Sequence, residues 1–527
     1  MHFTPPPHRT QNWQIRKPAA RGRKGIVVAQ AESAALAGVA VLEAGGNAID
    51  AAIATALALA AVEPWNSGLG GIGHALVQPA GAADASAVDF GPVAPRGLDP
   101  SHFRLTGRMT HDLFPWPEVE GDANGQGPLS FVVPSAVAGY AAMHARWGRL
   151  PLAEIAAPAI ALARRGLPAD WFTTLKIANA AGSLRRYPES ARIYLPDGLP
   201  PVAPYQGTPG FFRLGALAET LEQLARAGLR DLYEGEVAAA LAADLDEVGA
   251  VLGPADLRGC EAVIRPAQRV AWRDRTVQLA GGLTAAPTFA RVLRAMPDEE
   301  PEGTPDAAWF AAFASAMKEA YAERLAGLGA PESAPEGCTT HVTVCDAEGG
   351  VVAMTTTLLS SMGSRVVLPR SGVLMNNGVM WFDPRPGQPN SIAPGKRPLT
   401  NMCPVILRAG GTEGGRPWLA GGGSGGRRIL AAVFQLLAFV AEFGMTPEAA
   451  AHQPRIDVSG PDLVSADRRL PEDVIAALRA GGAVEIVEHG VLPINFACPN
   501  LIALNGDGSR FGISDVQSPW SAALAQP

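Results

Sequence analysis

A chain of 527 residues, 47% of them apolar, can bury a large core and fits either several ordinary domains or one large α/β unit. A formal charge of −7 argues against a dedicated nucleic-acid binder, and the one basic run near the N-terminus, RKPAARGRKG, reads as a solvated tail. Five scattered cysteines without a C-x-x-C pair point to reduced thiols rather than a disulfide framework, and nine histidines without paired ligand spacing point to no metal.

In chain order, the N-terminal stretch MHFTPPPHRTQNW lacks the apolar core of a signal peptide. GIVVAQ (25–30) predicts a first strand, and ESAALAGVAVLEAGG (32–46) a helix closed by glycines. AIDAAIATALALAAVEPW (48–65) predicts a second helix, apolar nearly all round and therefore buried; it is too short to span a bilayer. A cytoplasmic protein with no membrane partner is expected. GLGGIG (68–73) has the letters of a dinucleotide fingerprint, but a helix precedes it and the strand-like HALVQPAG follows. That order is the reverse of what pyrophosphate binding needs, so a turn for close backbone approach is expected and no cofactor. Helical patterns dominate from 134 to 330. From 340 the texture changes to strand-like runs: THVTVCD, VVAMTTTL, GVLMNNG and CPVILRAG. Two further helices (427–444 and 471–482) and two last strands, NLIALNG and SRFGISD, follow. Both kinds of element in each half suggest layered α/β packing.

Residues 340–346 and 351–358, joined by AEGG, predict a hairpin that brings Thr357 within about one position of Thr339. Paired threonines on strands are ordinarily stabilising cross-strand neighbours. They acquire chemistry when a base stands beside one hydroxyl, and a free α-amino group is such a base. Thr339 would need a chain break before it, and the proline-rich connector GLGAPESAPEGC (327–338) is where a break is tolerated.

These residues lie among long ordered motifs. EAGGNAIDAAIATALALAAVEPWNSGLGGIG, VVPSAVAGYAAMHARWGRLPLAEIAAPAIALARRGLP, MKEAYAERLAGLG, TTHVTVCDAEGGVVAMTTTL, NSIAPGKRPLTNMCPVI and GGGSGGRRI together resemble the γ-glutamyltransferase (glutathione hydrolase) family of N-terminal-nucleophile hydrolases, over nearly the whole chain. The resemblance implies an α+β fold, a four-layer αββα sandwich. It also implies a proenzyme cut between Cys338 and Thr339 into a large segment, 1–338, and a small one, 339–527, which form one folded unit, and a dimer of the processed heterodimers. Thr339 is then the nucleophile on a small-molecule amide, Thr357 its hydroxyl partner, and Gly425 and Gly426 the oxyanion-hole pair. His341 matches the family's Thr-Thr-His, with a structural role at least as strong a reading as a catalytic one.

The departures bear on substrate. The family's carboxylate-binding arginine is Gly91 here, its asparagine after the second threonine is Leu359, its glutamine is Gly378 and its amine-binding aspartate is Trp381. Its double serine is Thr400-Asn401, which can still hydrogen-bond a substrate. Losing the charged clamp should weaken γ-glutamyl binding by several kcal/mol. The segment 383–395 is shorter than the family's lid loop, implying an open site. Arg427, followed by Arg428, stands where the family usually has serine after the glycine pair, and can hold a carboxylate near the scissile amide. That suits short acid amides such as oxamate, on which a branch resembling this chain acts. γ-Glutamyl amides such as glutathione remain the competing substrate class, and a non-catalytic binding relative the competing protein class.

Overall fold

Alternation of side chains along the strands produces two sheets that share one apolar interface. The computed structural model describes residues 13–110, 116–328, 338–410, 417–460, 462–492 and 494–527, so most of the proline-rich connector expected to carry the break lies outside the described residues. The first sheet has seven antiparallel strands in the order Ala522–Ala525, Ile26–Ala29, Cys338–Cys345, Val351–Leu359, Ile72–Gln78, Ser86–Phe90 and Val263–Pro266. The second, also seven-stranded, runs Ala20–Gly22, Arg510–Ser514, Cys498–Leu504, Pro417–Ser424, Val405–Arg408, Arg275–Leu279 and Gln268–Trp272. Both sheets contain strands from before and from after residue 338, so the two segments share one core.

Successive residues of a strand face opposite ways. In the first sheet Ile26, Val28, Leu76 and Ala353 meet Ile406, Ala420 and Ile502 of the second in a dry layer between the sheets. Their neighbours Val27, Val342, Val344 and Val352 pack outward against the helices Glu32–Glu43 and Ala48–Val62. On the far side Val277, Leu407, Leu419 and Leu501 pack against the helices Ala286–Ala295, Ala307–Leu328 and Ile429–Ala441. The result is the expected α+β arrangement of helix, sheet, sheet, helix.

The helix Ala48–Val62 is buried along all but its last residue. It starts where Asn47 Oδ1 accepts from the backbone N–H groups of Ile49 and Asp50, at 2.9 and 3.0 Å, while Asp50 reaches back to the Asn47 N–H. No helix among the described residues is long and apolar enough to cross a membrane. Cys260, Cys345, Cys403 and Cys498 are free and buried.

The expected strand at 372–378 is a correction. Val373–Leu374 pairs with Val367–Leu368, Met375 makes a single bridge to Gly70, and Gly378–Trp381 is a 3-10 turn. Asn376 is the reason: its side chain takes the N–H groups of Val132 and Gly378 and donates to Gly70 O and Val132 O, replacing a strand ladder with a side-chain-stitched turn. Among the elements that escaped the sequence pattern are the helices Trp171–Leu184 and Ala286–Ala295 and the glycine-rich strand Pro417–Ser424. Glycine has low strand propensity, yet it is needed there. A Cβ on Gly422 would sit 2.2 Å from His341 Cε1 in the facing sheet, and one on Gly421 2.4 Å from Asn500 O.

Candidate active site

The strand Cys338–Cys345 is regular from Thr340, which pairs with Thr356, and irregular between Cys338 and Thr340. Thr339 therefore sits in a bulge at the strand's first turn of the register, where a side chain is re-aimed away from the ladder. Its Oγ1 lies 3.4 Å from Thr357 Oγ1, a long hydroxyl pair, and Thr339 is 6% exposed. Thr357 Oγ1 in turn accepts from the Leu359 N–H at 2.8 Å. Leu359 has φ +87°, uncommon for a residue with a side chain, and is held there by burial of that side chain.

The glycine-rich strand ends beside these hydroxyls. Gly425 has φ +132° and Gly426 +61°, and a Cβ on Gly425 would lie 2.7 Å from Ala497 Cβ. Both the backbone angle and the close contact demand glycine at 425. The chain then enters the apolar helix Ile429–Ala441, so the amides of this turn sit at a positive helix N-terminus. Thr339 and Gly425 line one cavity of about 430 Å³. Its polar wall is Gln30, Asn66, Asn179 and Ser424; its apolar wall includes Phe172 and Trp520, stacked with centroids 3.8 Å apart. Lys176 and Arg428 are its cations, and among the described residues no Asp or Glu lines it. Arg428 Nη1 donates to Ile494 O at 2.8 Å, and its Nε lies 3.9 Å from Asp457 Oδ2.

The other residues singled out in the sequence lie elsewhere. Arg427 is buried, accepts the Tyr321 hydroxyl on its carbonyl at 2.6 Å, and is not among the residues lining the cavity; its neighbour Arg428 is. Thr400 Oγ1 donates to Leu283 O at 3.1 Å, and Asn401 Oδ1 accepts from Arg324 Nη2 at 3.1 Å; neither lines the cavity. Leu359 and Trp381 belong to a single buried apolar cluster with Ile72, Val132 and Met402. A Cβ on Gly378 would strike Val132, and one on Gly91 would strike His74 and Arg397. Three of the four positions of a charged glutamate clamp, Leu359, Gly378 and Trp381, are thus filled by apolar packing, while Gly91 abuts His74 and Arg397. His341 Nδ1 pairs with Thr355 Oγ1 at 2.7 Å, and burial drives its pKa down to about 3, leaving a neutral ring wedged between the sheets. The glycines of GLGGIG serve close approach: Cβ atoms on Gly70 and Gly73 would meet Leu374 O and Thr355 O at 2.2 Å. The backbone of Cys338 pairs opposite Leu359.

Sequence reasoning missed Gln30, Asn66, Lys176 and Asn179 as cavity residues. They sit in motif stretches or on a helix without a recognisable periodic signal, and only folding brings them to Thr339.

Two sheets between helix layers, with a threonine at a strand start facing a glycine turn, define the N-terminal-nucleophile hydrolase class. In agreement, the structure superposes on the crystal structure of cephalosporin acylase from Bacillus halodurans with a TM-score of 0.83, covering 100% of this chain and 99% of that one at 23% identity. The family model for Gamma-glutamyltranspeptidase matches residues 34–336 and 329–490, and the chain belongs to that family. It is 30% identical to the Acylase ACY 1 proenzyme of Pseudomonas sp. (strain SE83), over 97% of this chain and 95% of the relative. It is 27% identical to the Glutathione hydrolase proenzyme of Escherichia coli (strain K12), over 94% and 91%.

Proposed function

We propose that the chain is a self-processing amide hydrolase whose nucleophile is Thr339. The observation that carries this reading is the Thr339–Thr357 hydroxyl pair, 3.4 Å apart, on the wall of the cavity that Gly425 also lines. In the first reaction Thr339 Oγ1 attacks the carbonyl carbon of Cys338. The Cys338–Thr339 C–N bond breaks as an ester forms on Oγ1, and the nitrogen takes the hydroxyl proton. Water then hydrolyses the ester, releasing the Cys338 carboxylate and a free α-amine on Thr339. In the second, that amine accepts the Oγ1 proton as Oγ1 attacks a substrate amide. The Gly425 and Gly426 N–H groups meet the developing oxyanion. The leaving amine departs with a proton, and water clears the acyl group.

For substrate, the cavity's two cations, the absence of a lining carboxylate among the described residues, and the apolar filling at Leu359 and Trp381 favour an acid amide without an α-ammonium group. A zwitterionic γ-glutamyl group would bring its ammonium to a wall on which no described residue is a carboxylate. Short acid amides of the oxamate kind fit this charge pattern. The carboxylate partner in this reading is Arg428 or Lys176 rather than Arg427. The relatives' names, a glutathione hydrolase proenzyme and an acylase proenzyme, support the amide-cleaving class.

Electrophoresis tests the reading: wild-type protein should run as two chains and Thr339→Ala as one, without activity. A single stable wild-type chain with full activity sinks it. A hydrolysis panel of glutathione, a γ-glutamyl anilide and oxamate on processed enzyme then separates the substrate classes, with turnover of oxamate alone expected.

A further inference from the structure

Glu63, Asn66 and Thr340 form a buried polar cluster that the steps above do not use. Glu63 ends the helix Ala48–Val62 and is 1% exposed; Asn66, in the turn that follows, is 8% exposed. Asn66 Nδ2 donates to Glu63 Oε1 at 2.8 Å. With Nδ2 committed to Glu63, Oδ1 is the amide's other end. That Oδ1 is buried and meets no donor among the described residues, although Asn66 lines the same cavity as Thr339. The backbone ties Asn66 to the reacting hairpin: its carbonyl accepts from the Leu358 N–H at 2.8 Å, next to Thr357. On the other side of Glu63, the Thr340 hydroxyl approaches the same carboxyl, short of a well-formed hydrogen bond. A buried acceptor without a donor costs free energy in the folded state. Here it is held by a fixed partner on the wall of the nucleophile's cavity.

We propose that Asn66 Oδ1 is the acceptor for the nitrogen of residue 339, and that Glu63 is the positioning residue that locks Asn66 for this task. This rests on Thr339 being the nucleophile. During self-cleavage Asn66 receives an N–H of the nitrogen as it changes from amide to amine. Afterwards it holds one amine hydrogen and so turns the lone pair toward Oγ1, from which the proton must be taken. The other charged or titratable groups lining this cavity among the described residues are Lys176 from the helix Trp171–Leu184, Arg428 from the turn after Gly425, and Cys498 from the strand Cys498–Leu504, whose thiol burial pushes up to about 12. Burial raises the Glu63 carboxyl to about 7, partly opposed by its hydrogen bonds and by Lys176.

The test uses full-length Asn66→Ala and Asn66→Asp beside wild type, each checked for folding by its melting curve. With Asn66→Ala, self-cleavage should slow by about tenfold or more, and processed enzyme should lose about tenfold in kcat with KM within about twofold. Asn66→Asp places a carboxylate against the amine and should move the acid limb of the kcat/KM profile up by about one pH unit, a shift that mere loss of packing does not produce. Should Asn66→Ala not fold, the isosteric Asn66→Asp profile decides alone. Cleavage at the wild-type rate with an unmoved acid limb overturns the role of Asn66. Activity that survives Thr339→Ala overturns instead the nucleophile on which it rests.

Discussion

Thr339 has a short list of groups that can change its reactivity, and each is fixed by something outside its own strand. The Thr357 hydroxyl is aimed by the Leu359 N–H, and Leu359 is kept at positive φ, at a cost of about 1–3 kcal/mol, by its buried side chain. Replacing Thr357 with Val keeps the shape and removes the hydroxyl. Self-cleavage, followed by electrophoresis over time, should slow by about 100-fold. The Leu359 N–H would be left unpaired, lowering stability by about 1–3 kcal/mol in a denaturant titration. Lys176 is the second residue with a distinct expectation. Its ammonium lies 5.3 Å from the Phe172 ring centroid at the cavity wall, and no carboxylate bridges to it among the described residues. Lys176→Ala should raise KM for anionic amides by about tenfold, equivalent to about 1.4 kcal/mol, and leave neutral amides unchanged. Equal effects on both would assign the residue to packing.

At the level of elements, the site depends on how closely the two sheets approach. The alternation of the strand Cys338–Cys345 turns His341 and Thr343 toward the second sheet. Thr343 Oγ1 bonds Asn500 Oδ1 at 2.5 Å, and Asn500 Nδ2 bonds the His341 carbonyl at 2.8 Å. His341 fits only because Gly422 opposite has no side chain. A methyl there would push against a rigid buried ring, so Gly422→Ala should destabilise the fold by about 1–3 kcal/mol, read from the denaturation midpoint. Sheet separation at Gly422 also sets the distance from Gly425, on the same chain stretch, to Thr339, so the same variant should cleave more slowly. Normal stability and cleavage would show that the ring has room to move.

Across the whole molecule, buried ionisable groups determine acid behaviour. Burial holds His74 down to about 4 and His341 to about 3, so both stay neutral in the folded state. An unfolded histidine takes up its proton near pH 6.5, so each costs stability as pH falls below that value. Glu63, raised to about 7, and Asp457, raised to about 6, act oppositely: both bind a proton more readily folded, and stability rises as pH falls through their windows. The two sets offset one another between about pH 7 and 5. Below about pH 4 the carboxyl gains are complete, while His341 and the deeply depressed Asp515, bridged to Arg455 at 2.8 Å, still lose. The melting temperature should therefore be nearly level from pH 7 to 5 and fall steeply below about 4. A steep fall already at pH 6 would contradict it.

The layered α+β class, the buried helix at 48–62, the hairpin and the family were legible in the sequence because each is carried by local periodicity or by an unbroken motif. Thr339 and Thr357 were legible as a pair because hairpin register is set by a short loop. The lining of the cavity was not. Gln30, Asn66, Lys176, Thr339, Gly425 and Trp520 come from six distant stretches, and nothing in one stretch encodes its distance from another. Tertiary structure alone decided that Arg428 rather than Arg427 faces the cavity, since one residue's rotation on a turn reverses the direction of a side chain. It also decided that Leu359 and Trp381 close the clamp region as packed core. The sequence by itself determined which charges were missing; the packing of two sheets determined what occupies their place.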